Sequence, residues 1–478
     1  MGQRVRINAG KVVAFQNGSH AILDDGVIVV DGNEIVHVGR SFDGPVDAEI
    51  DMRDRVVTPG FINTHSHLAG SPLDKSFLED VGKRQFQLSG LADMLPARGA
   101  ANDRQMMEAC VDYSMVELID TGTTTVMEIG GIGDYVADAV EKAGLRAYIA
   151  DGYKSGAWYT DDGKSMKYRW DEKKGYEGFE RALKLIERLE GRADGRIQGF
   201  LSPSQVDTCT EDLLRQSKKA SDDLQVPIAL HTSQSVFEFD EMVRRHGRTP
   251  VEWLDDIGFL GEWNILGHVI MIAGHSWVQF AGDDLKLLAD ARASVAHCTW
   301  VFARRGLVME SFADYVERGV NMTLGTDTAP QSMIEALRWA AVLGKVTKRQ
   351  TEVSTAVDVF NAATLGGASM LHREDLGRVA PGCKADMLFW DVHGMTMVPV
   401  RDPIKNIVYA ATADDLADVM IDGRFVKRDG VVLTGDKQGV SERLQREGER
   451  MWPLMGRGDW AQRTVDELSP PSFPTFVE

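Results

Sequence analysis

Residues 56–67 read VVTPGFINTHSH, an apolar and largely β-branched run that ends in two histidines two positions apart. Side chains alternate across a β-strand, so His65 and His67 point to the same face and can reach one metal ion. Chance is an equally good explanation at this point, because the chain of 478 residues contains eleven histidines. The stretch predicts a buried strand ending at a metal site, provided that other parts of the chain supply further ligands.

The composition limits the kind of protein this can be. A chain of 478 residues exceeds the ~250–300 residues at which a single core stops growing, which predicts one large domain and a smaller one. A net charge of −19 and the lack of a basic stripe argue against a nucleic-acid partner. Four widely spaced cysteines and the absence of a long apolar segment predict a cytoplasmic protein without a disulfide framework or a membrane partner.

The middle of the chain alternates strand-like runs with amphipathic helical segments, the pattern of an α/β fold with a parallel sheet. Eight strands are predicted, a number that favours a closed (β/α)8 TIM barrel. They lie near residues 57–63, 123–127, 146–150, 197–201, 227–230, 265–272, 293–296 and 320–324.

Short strand-like segments separated by turn residues occur at both ends of the chain. We predict that residues 1–57 and 377–439 together form a smaller β-sandwich domain beside a metal-binding barrel of residues 58–376. Residues 440–478 form a charged helix followed by a proline-rich segment. This C-terminal arm is predicted to pack on the barrel or on a second subunit of a homo-oligomer, or else to be a partly disordered tail.

Further metal-binding residue types follow the other predicted strands. His231 ends the fifth strand, His268 lies on the sixth, His297 ends the seventh and Asp327 follows the eighth. Barrel enzymes carry their chemistry at the carboxyl ends of the strands. Any one of these residues alone is more often structural, but the set as a whole predicts an active site.

The order His-x-His, His, His, Asp resembles that of the amidohydrolase superfamily. Residues 56–67 and the segment RVAPGCKAD at residues 378–386 frame it at either end, and the resemblance covers nearly the whole chain. It is strongest to the aminohydrolase branch, which includes cyclic-base deaminases, triazine hydrolases, and phenylurea and thiocarbamate hydrolases. The resemblance implies that His65, His67, His231 and Asp327 bind metal, and that His268 lies beside the reactive water as a ligand or a hydrogen-bond partner.

One divalent metal ion is expected, with zinc favoured and iron, cobalt or manganese also compatible with these ligands. Two-metal relatives carry a carboxylated lysine at the end of strand four, and no lysine occupies that place here. Lys154, after strand three, is the nearest cation. Asp327 is expected to take a proton from water and to deliver it to the leaving nitrogen, acting as a general base and then as a general acid.

Three positions depart from the deaminases of this branch. Gln234 stands where they carry a proton-shuttling glutamate, Ser204 where they carry a substrate-contacting histidine, and Met271 where many carry another histidine. An amide cannot carry a proton at neutral pH. The chain is therefore predicted to hydrolyse a non-peptide C–N bond of a small molecule at a carbonyl carbon, in an amide, a urea or a carbamate-like group.

Two alternatives remain open from the sequence. In the first, another side chain supplies the missing proton and the enzyme is a deaminase or dechlorinating hydrolase of an N-heterocycle. In the second, the barrel is a non-catalytic scaffold, although such proteins tend to lose metal ligands and this chain keeps them.

Substrate contacts are predicted from Gln234, Ser204, His297, His275 and Arg304. His297 matches a family position that faces substrate, whereas His275 fits a structural loop role equally well. Arg304 can anchor an acidic or carbonyl group, although exposed arginines more often only face solvent. Residues 69–101 and 156–175 are the loops expected to set specificity.

Overall fold

The computed structural model describes residues 3–77, 91 and 95–477. Within these residues there are eighteen strands and sixteen α-helices. The strands are β1 (Arg4–Gln16), β2 (Ser19–Asp31), β3 (Glu34–Gly39), β4 (Ala48–Pro59), β5 (Phe61–Ser66), β6 (Thr123–Gly130), β7 (Arg146–Asp151), β8 (Gly156–Tyr159), β9 (Lys167–Trp170), β10 (Ile197–Gly199), β11 (Ile228–Thr232), β12 (Asn264–His268), β13 (Ser294–His297), β14 (Asn321–Leu324), β15 (Met387–Asp391), β16 (Leu416–Ile421), β17 (Arg424–Arg428) and β18 (Val431–Val432).

The helices alternate with the central strands. They are α1 (Leu95–Ala101), α2 (Arg104–Asp120), α3 (Gly133–Ala143), α4 (Glu172–Leu189), α5 (Glu211–Leu224), α6 (Val236–His246), α7 (Pro250–Asp256), α8 (Asp284–Asp290), α9 (Thr299–Ala303), α10 (Phe312–Glu317), α11 (Met333–Lys348), α12 (Ala356–Asn361), α13 (Gly367–Met370), α14 (Pro403–Tyr409), α15 (Lys437–Met451) and α16 (Val465–Leu468). No helix of the described part of the chain combines the length and the apolar character needed to cross a membrane.

Eight parallel strands form the barrel, in two groups of four. Strands β5, β6, β7 and β10 pair in that order, and β11, β12, β13 and β14 pair in that order. Isolated bridges join the groups, from Leu201 to Ile228 and from Gln205 to His231 on one side and from Ser66 to Asp327 on the other. The predicted TIM barrel with a smaller second domain is thereby confirmed, and an apolar cluster that includes Ile62, Met127, Phe200 and Ile265 lies among its strands.

Both ends of the chain contribute to one eight-stranded sheet outside the barrel, in the order β18-β17-β16-β15-β4-β1-β2-β3. Strand β4 pairs with β1 in parallel and with β15 in antiparallel orientation, which joins the two chain ends. The assignment of residues 1–57 and 377–439 to a separate domain stays a prediction that this sheet supports.

The predicted first barrel strand, residues 57–63, was wrong in its start. Val57 belongs to β4 of the outer sheet, and the barrel strand β5 begins only at Phe61. Gly60 separates the two strands where the chain passes Thr124; a Cβ atom at Gly60 would lie 2.1 Å from the Thr124 hydroxyl oxygen. This change of sheet was not predicted, because residues 57–63 form one largely apolar run and periodicity alone cannot separate two consecutive buried strands.

The C-terminal arm packs on the barrel. Helix α15 lies along α2, with hydrogen bonds from Gln105 to Glu447 and from Arg450 to Asp103. Met451, Met455 and Leu468 are buried against residues of α1 and α2. Beyond them, the end of the chain is exposed.

Candidate metal centre and active-site cavity

Three histidines converge at the carboxyl end of the barrel. His65 and His67 come from β5 and the residue after it, and His231 comes from β11. The ring of His65 lies 5.3 Å from that of His67 and 4.7 Å from that of His231, measured between centroids. One nitrogen from each ring lies within 4.8 Å of the others, so the three can share one ion.

The hydrogen bonds of His67 and His231 fix which nitrogen faces the centre. The Nδ1 atom of His67 donates to the Ile129 carbonyl, and the Nδ1 atom of His231 donates to the Ser204 carbonyl. The two Nε2 atoms therefore carry lone pairs and lie 3.1 Å apart. Neutral lone pairs repel at this distance, whereas a cation between them would bind both, so these residues fit a metal ion.

His268 and Asp327 complete the group. Both are buried, and His268 Nε2 lies 3.6 Å from Asp327 Oδ2, while His67 Nε2 lies 3.5 Å from Asp327 Oδ1. Neither ring nitrogen of His268, nor Nε2 of His65, has a hydrogen-bond partner among the described residues. Orphaned buried nitrogens are costly, and a bound ion with its water would satisfy them.

The electrostatics of the centre favour neutral imidazoles. Burial, reinforced by the neighbouring imidazoles, lowers the pKa of His65 and of His268 well below the usual value. Burial also lowers the pKa of His231 to about 4. Neutral rings are the form that binds metal, since protonation would block the lone pair.

Asp327 has the opposite shift. Burial raises its pKa to about 6, although His231, Arg305 and Arg304 act in the other direction. Its backbone is held between His65 and His67, because its N–H donates to the His65 carbonyl and its carbonyl accepts from His67 N–H, both at 2.8 Å. The carboxylate is thus fixed in place beside the histidines.

Two glycines make room for the centre. A Cβ atom at Gly267 of β12 would lie 2.8 Å from Cε1 of His65, and one at Gly325 would lie 2.7 Å from the His65 Cβ atom. His65 on β5 therefore requires a glycine at both positions. In the sequence, each of these glycines lies one or two residues before a predicted member of the metal centre, His268 or Asp327.

A cavity of about 350 Å³ opens over these residues. Its lining includes His67, His231, His268 and Asp327, together with both Gln234 and Ser204 of the predicted substrate contacts. Phe302 also lines it, and the Phe302 ring lies 4.6 Å from that of His268.

The other predicted substrate contacts lie outside this lining. His297 is buried with its ring 5.6 Å from that of Phe312, and His275 lies beside Glu310, with 3.9 Å from Nε2 to a carboxylate oxygen. Arg304 is one residue removed from the lining residue Arg305, and its guanidinium donates to the hydroxyl of Thr328 at 3.4 Å. Contacts of these three residues with substrate stay predictions.

Several residues of the cavity escaped the sequence analysis. Trp158, on a hairpin of β8 and β9, lines the cavity and donates to Asp207 at 2.7 Å. Arg98 and Asp74 form an ion pair at the cavity wall. The hairpin falls inside the predicted specificity loop 156–175, whereas residues 78–90 and 92–94 of the other loop lie outside the described residues.

A buried acid lies behind Gln234. The carboxylate of Glu238 accepts from the backbone N–H groups of Ser233 and Gln234, and Gln205 Nε2 lies 3.5 Å from it. Burial raises the pKa of Glu238 well above its usual value. The pattern Ser235-x-x-Glu238 is typical of a helix N-terminus, and Ser235 does cap α6. The Glu238 side chain, however, binds the backbone of the loop after β11 and does not form a capping box.

Comparisons with known proteins agree with this architecture. The model of the Amidohydrolase family matches residues 56–426. A 5'-deoxyadenosine deaminase from Methanothermobacter thermautotrophicus is 30% identical over 432 residues, which cover 87% of this chain and 92% of that protein. A 5-methylthioadenosine/S-adenosylhomocysteine deaminase from Halobacterium salinarum is 30% identical over 434 residues, covering 89% of this chain and 94% of that protein.

Solved structures share the fold at lower identity. An adenosine deaminase from Xanthomonas campestris with bound zinc has a TM-score of 0.82 at 22% identity, covering 94% of this chain and 99% of that one. An atrazine chlorohydrolase from Arthrobacter aurescens complexed with zinc has a TM-score of 0.80 at 21% identity, covering 93% and 100% of the two chains.

Proposed function

The chain belongs to the amidohydrolase family, and on that premise we propose that it hydrolyses a C–N bond at a carbonyl carbon of a small molecule, in an amide, a urea or a carbamate-like group. It is an enzyme, a metal-dependent C–N hydrolase, so the scaffold alternative is set aside. The observation that carries the choice of bond is Gln234, an amide that lines the cavity next to the metal ligand His231.

We assign one divalent ion, zinc by preference, to His65, His67, His231 and Asp327. The facing Nε2 atoms of His67 and His231 and the nearby Asp327 carboxylate support this set. Three imidazoles and one carboxylate suit zinc, and iron, cobalt or manganese are accommodated by the same donors. His268 lies within reach of the same space as a ligand or as a hydrogen-bond partner of water.

The side chains then divide the work. When bound, a divalent ion lowers the pKa of water enough to make hydroxide available at neutral pH. Asp327, whose carboxylate lies beside His67 and His268, accepts a proton from the attacking water and delivers it to the leaving nitrogen. His268 is neutral and buried against Asp327, so it orients the water without adding a charge.

Attack on a carbonyl matches the groups that the cavity offers. Protonation of a ring nitrogen needs an acid near the substrate, and the deaminases of this branch use a glutamate for it. Here Gln234 and Ser204 occupy the corresponding positions and can only donate or accept hydrogen bonds. A carbonyl oxygen needs only hydrogen-bond donors of this kind to stabilise its developing charge.

Hydrolysis of an N-heterocycle, by deamination or dechlorination, is the second candidate. The two relatives at 30% identity are deaminases of adenine-containing compounds, which favours it. Glu238 is the buried acid that lies nearest to the position of the missing glutamate, although Gln205 and Gln234 stand between it and the cavity.

Product analysis separates the two candidates. The zinc-loaded protein is incubated with a panel of amides, aryl ureas, thiocarbamates, 5'-deoxyadenosine and chlorotriazines, and the products are identified by mass spectrometry. Release of an alkyl- or arylamine from the carbonyl compounds supports the proposal. Ammonia or chloride from the heterocycles, with the carbonyl compounds unchanged, would establish the second candidate instead.

We also propose a cytoplasmic location and a homo-oligomer. The first is supported by four buried cysteines that are all unpaired. The second is supported by the end of the arm, where Phe473, Phe476 and Val477 are each more than 80% exposed. Light scattering of the full chain, compared with a chain ending at Ser469, tests whether these residues join subunits.

A further inference from the structure

Lys154 supplies a cation to the cavity that the reaction described above does not use. It follows β7, lines the cavity together with Ser204, Gln205 and His231, and is exposed to it. We propose that Lys154 binds a carboxylate or similar anionic group of the substrate, so that the enzyme acts on acidic small molecules. This inference rests on the proposed function for the identity of the bond but not for the charge of the ligand.

The backbone of Lys154 is held firmly on both sides. The preceding residue, Tyr153, is buried and its hydroxyl donates to Ser217 Oγ at 2.7 Å. Tyr153 also accepts from the N–H of Ser204 at 2.7 Å and donates its own N–H to the Ser202 carbonyl. Lys154 is therefore carried by the joint between two barrel strands, and a fixed base reduces the entropy lost when its side chain binds a ligand.

No carboxylate within the described residues forms an ion pair with Lys154. Asp207 is an acid whose charge acts on Lys154, and its carboxylate already accepts from Trp158 Nε1 and the Tyr168 hydroxyl, each at 2.7 Å. The guanidinium of Arg98, by contrast, is paired with Asp74 in the same cavity. Among the described residues, the positive charge of Lys154 is thus not balanced by an ion pair, and a ligand can neutralise it.

The ammonium group lies close to the reaction centre. Burial is the main cause of the lowered pKa of His231, and the charge of Lys154 contributes to it. The walls also withdraw Lys154 from bulk water, which lowers its own pKa, although the cavity leaves it accessible. A partly desolvated ammonium gains more from an anionic partner than a fully hydrated one.

Apolar side chains of the same cavity suit the rest of the substrate. Trp158, Leu95, Val301 and Phe302 give the cavity an apolar portion. A molecule that carries an apolar or aromatic group next to the scissile bond and a carboxylate at a distance would satisfy both portions.

The test uses a matched pair of probes, 4-ureidobenzoate and the uncharged 4-ureidobenzamide, and isothermal titration calorimetry on the zinc-loaded protein. The wild type is expected to bind the carboxylate at least tenfold more tightly. Lys154→Met should weaken binding of the carboxylate by about 10- to 100-fold, the range for a charge-assisted hydrogen bond, and leave binding of the amide within twofold. Lys154→Arg should retain the preference, and Lys173→Met, on the exposed face of α4, should change neither affinity.

Hydrolysis of the same compounds keeps the two proposals apart. If neither is hydrolysed but the carboxylate preference is present and lost in Lys154→Met, the proposed bond is wrong and the role of Lys154 stands. Equal affinity of the wild type for both probes, no measurable affinity for either, or an equal loss for both in a Lys154→Met protein with unchanged melting temperature would overturn the role of Lys154.

Discussion

Asp327 is held in place by its backbone. Its N–H donates to the His65 carbonyl and its carbonyl accepts from His67 N–H. These contacts place the carboxylate against the other predicted metal ligands, where it can accept a proton from water and deliver it to a leaving group.

Asp327→Asn should therefore reduce kcat by about 10²- to 10⁴-fold, because an amide cannot carry the proton. Steady-state kinetics on the best substrate measures this, with the melting temperature as a check of folding. Asp290→Asn, at an exposed position on α8, is the matched control and should be neutral. Activity of Asp327→Asn within threefold of wild type would contradict the assigned role.

Gln234 lets the choice of reaction be tested in one position. Gln234→Glu places a carboxyl group in a buried site at the cavity, where desolvation would raise its pKa and allow it to be protonated. The ratio of kcat/KM for 5'-deoxyadenosine to that for an aryl urea should rise by at least about 10-fold, as expected for a restored general acid. Gln234→Met, which cannot donate a proton, should not raise this ratio; an equal rise in both variants would argue against proton donation.

The residues of the metal centre were predictable because ligand types recur at strand ends, and parallel strands end at one face of a barrel. Glu238 was not, and Lys154 was noted from the sequence only as the nearest cation, without a role in substrate binding. Ser235-x-x-Glu238 has the pattern of an ordinary helix N-terminus. A single lysine in a loop belongs to no sequence pattern that would distinguish a substrate-binding residue from a solvent-exposed one. What decides their roles is the direction in which their side chains turn, which depends on the packing of loops rather than on a local pattern.

At the scale of elements, the joint between β5 and β14 holds the two ends of the barrel together. Asn63 is fully buried there, donates to Thr326 Oγ1 at 2.8 Å and accepts from Thr326 N–H at 3.1 Å. Gln331 extends this contact by donating to Ser71 Oγ at 3.0 Å.

Asn63→Ala should lower the free energy of unfolding by about 1–3 kcal/mol, because it leaves a buried N–H without a partner. It should also weaken metal binding, since β5 and β14 both carry ligands. Urea denaturation and titration with zinc measure the two effects. Asn33→Ala, which removes a partly buried hydrogen bond to Asp422 in the outer sheet, should cost less stability and leave zinc affinity unchanged.

The contact between α2 and α15 has a pH dependence that can be worked out. Asp103 caps α2 through Met106 N–H and binds Arg450, and that ion pair together with the cap lowers its pKa to about 2. A lowered pKa in the folded protein stabilises it above the ordinary value of 3.8, and this contribution is lost as the pH falls from 3.8 towards 2.

Asp103→Asn should keep the cap and lose only the ion pair, a loss below about 1 kcal/mol at an exposed site. Asp103→Ala should lose the cap as well, about 1 kcal/mol more. Urea denaturation at pH 5 and pH 3 should show the difference between wild type and Asp103→Asn shrinking at the lower pH. A difference that grows on acidification would show that the sign is wrong.

The hydrophobic pattern of the sequence predicted the elements of the barrel, but it did not predict two features of the fold. Residues 57–63 form one apolar run but belong to two sheets, and the hairpin of β8 and β9 lies in a region of mixed polar residues. Both depend on contacts with distant parts of the chain: β4 with β1 and β15, and Tyr168 and Trp158 with Asp207.

At the scale of the whole molecule, the predicted ligands come from both groups of four strands. Removal of the metal with a chelator should abolish activity and lower the melting temperature by roughly 2–5 °C, because an ion that binds only the folded state stabilises it. Differential scanning calorimetry before and after addition of zinc measures the shift. His231→Ala should melt at one temperature with or without zinc; an unchanged shift in that variant would place the ion elsewhere.

The barrel is continuous within each group of strands but crosses from one group to the other through a few isolated bridges. His65 and His67 lie on one side of these crossings, and His231, His268 and Asp327 on the other. A slip of one residue at either crossing turns every side chain of a strand to the opposite face and scatters the donors. Metal binding thus depends on correct assembly of the barrel. Only a chain whose two groups of strands have met in the correct register can bind the ion and become an active enzyme.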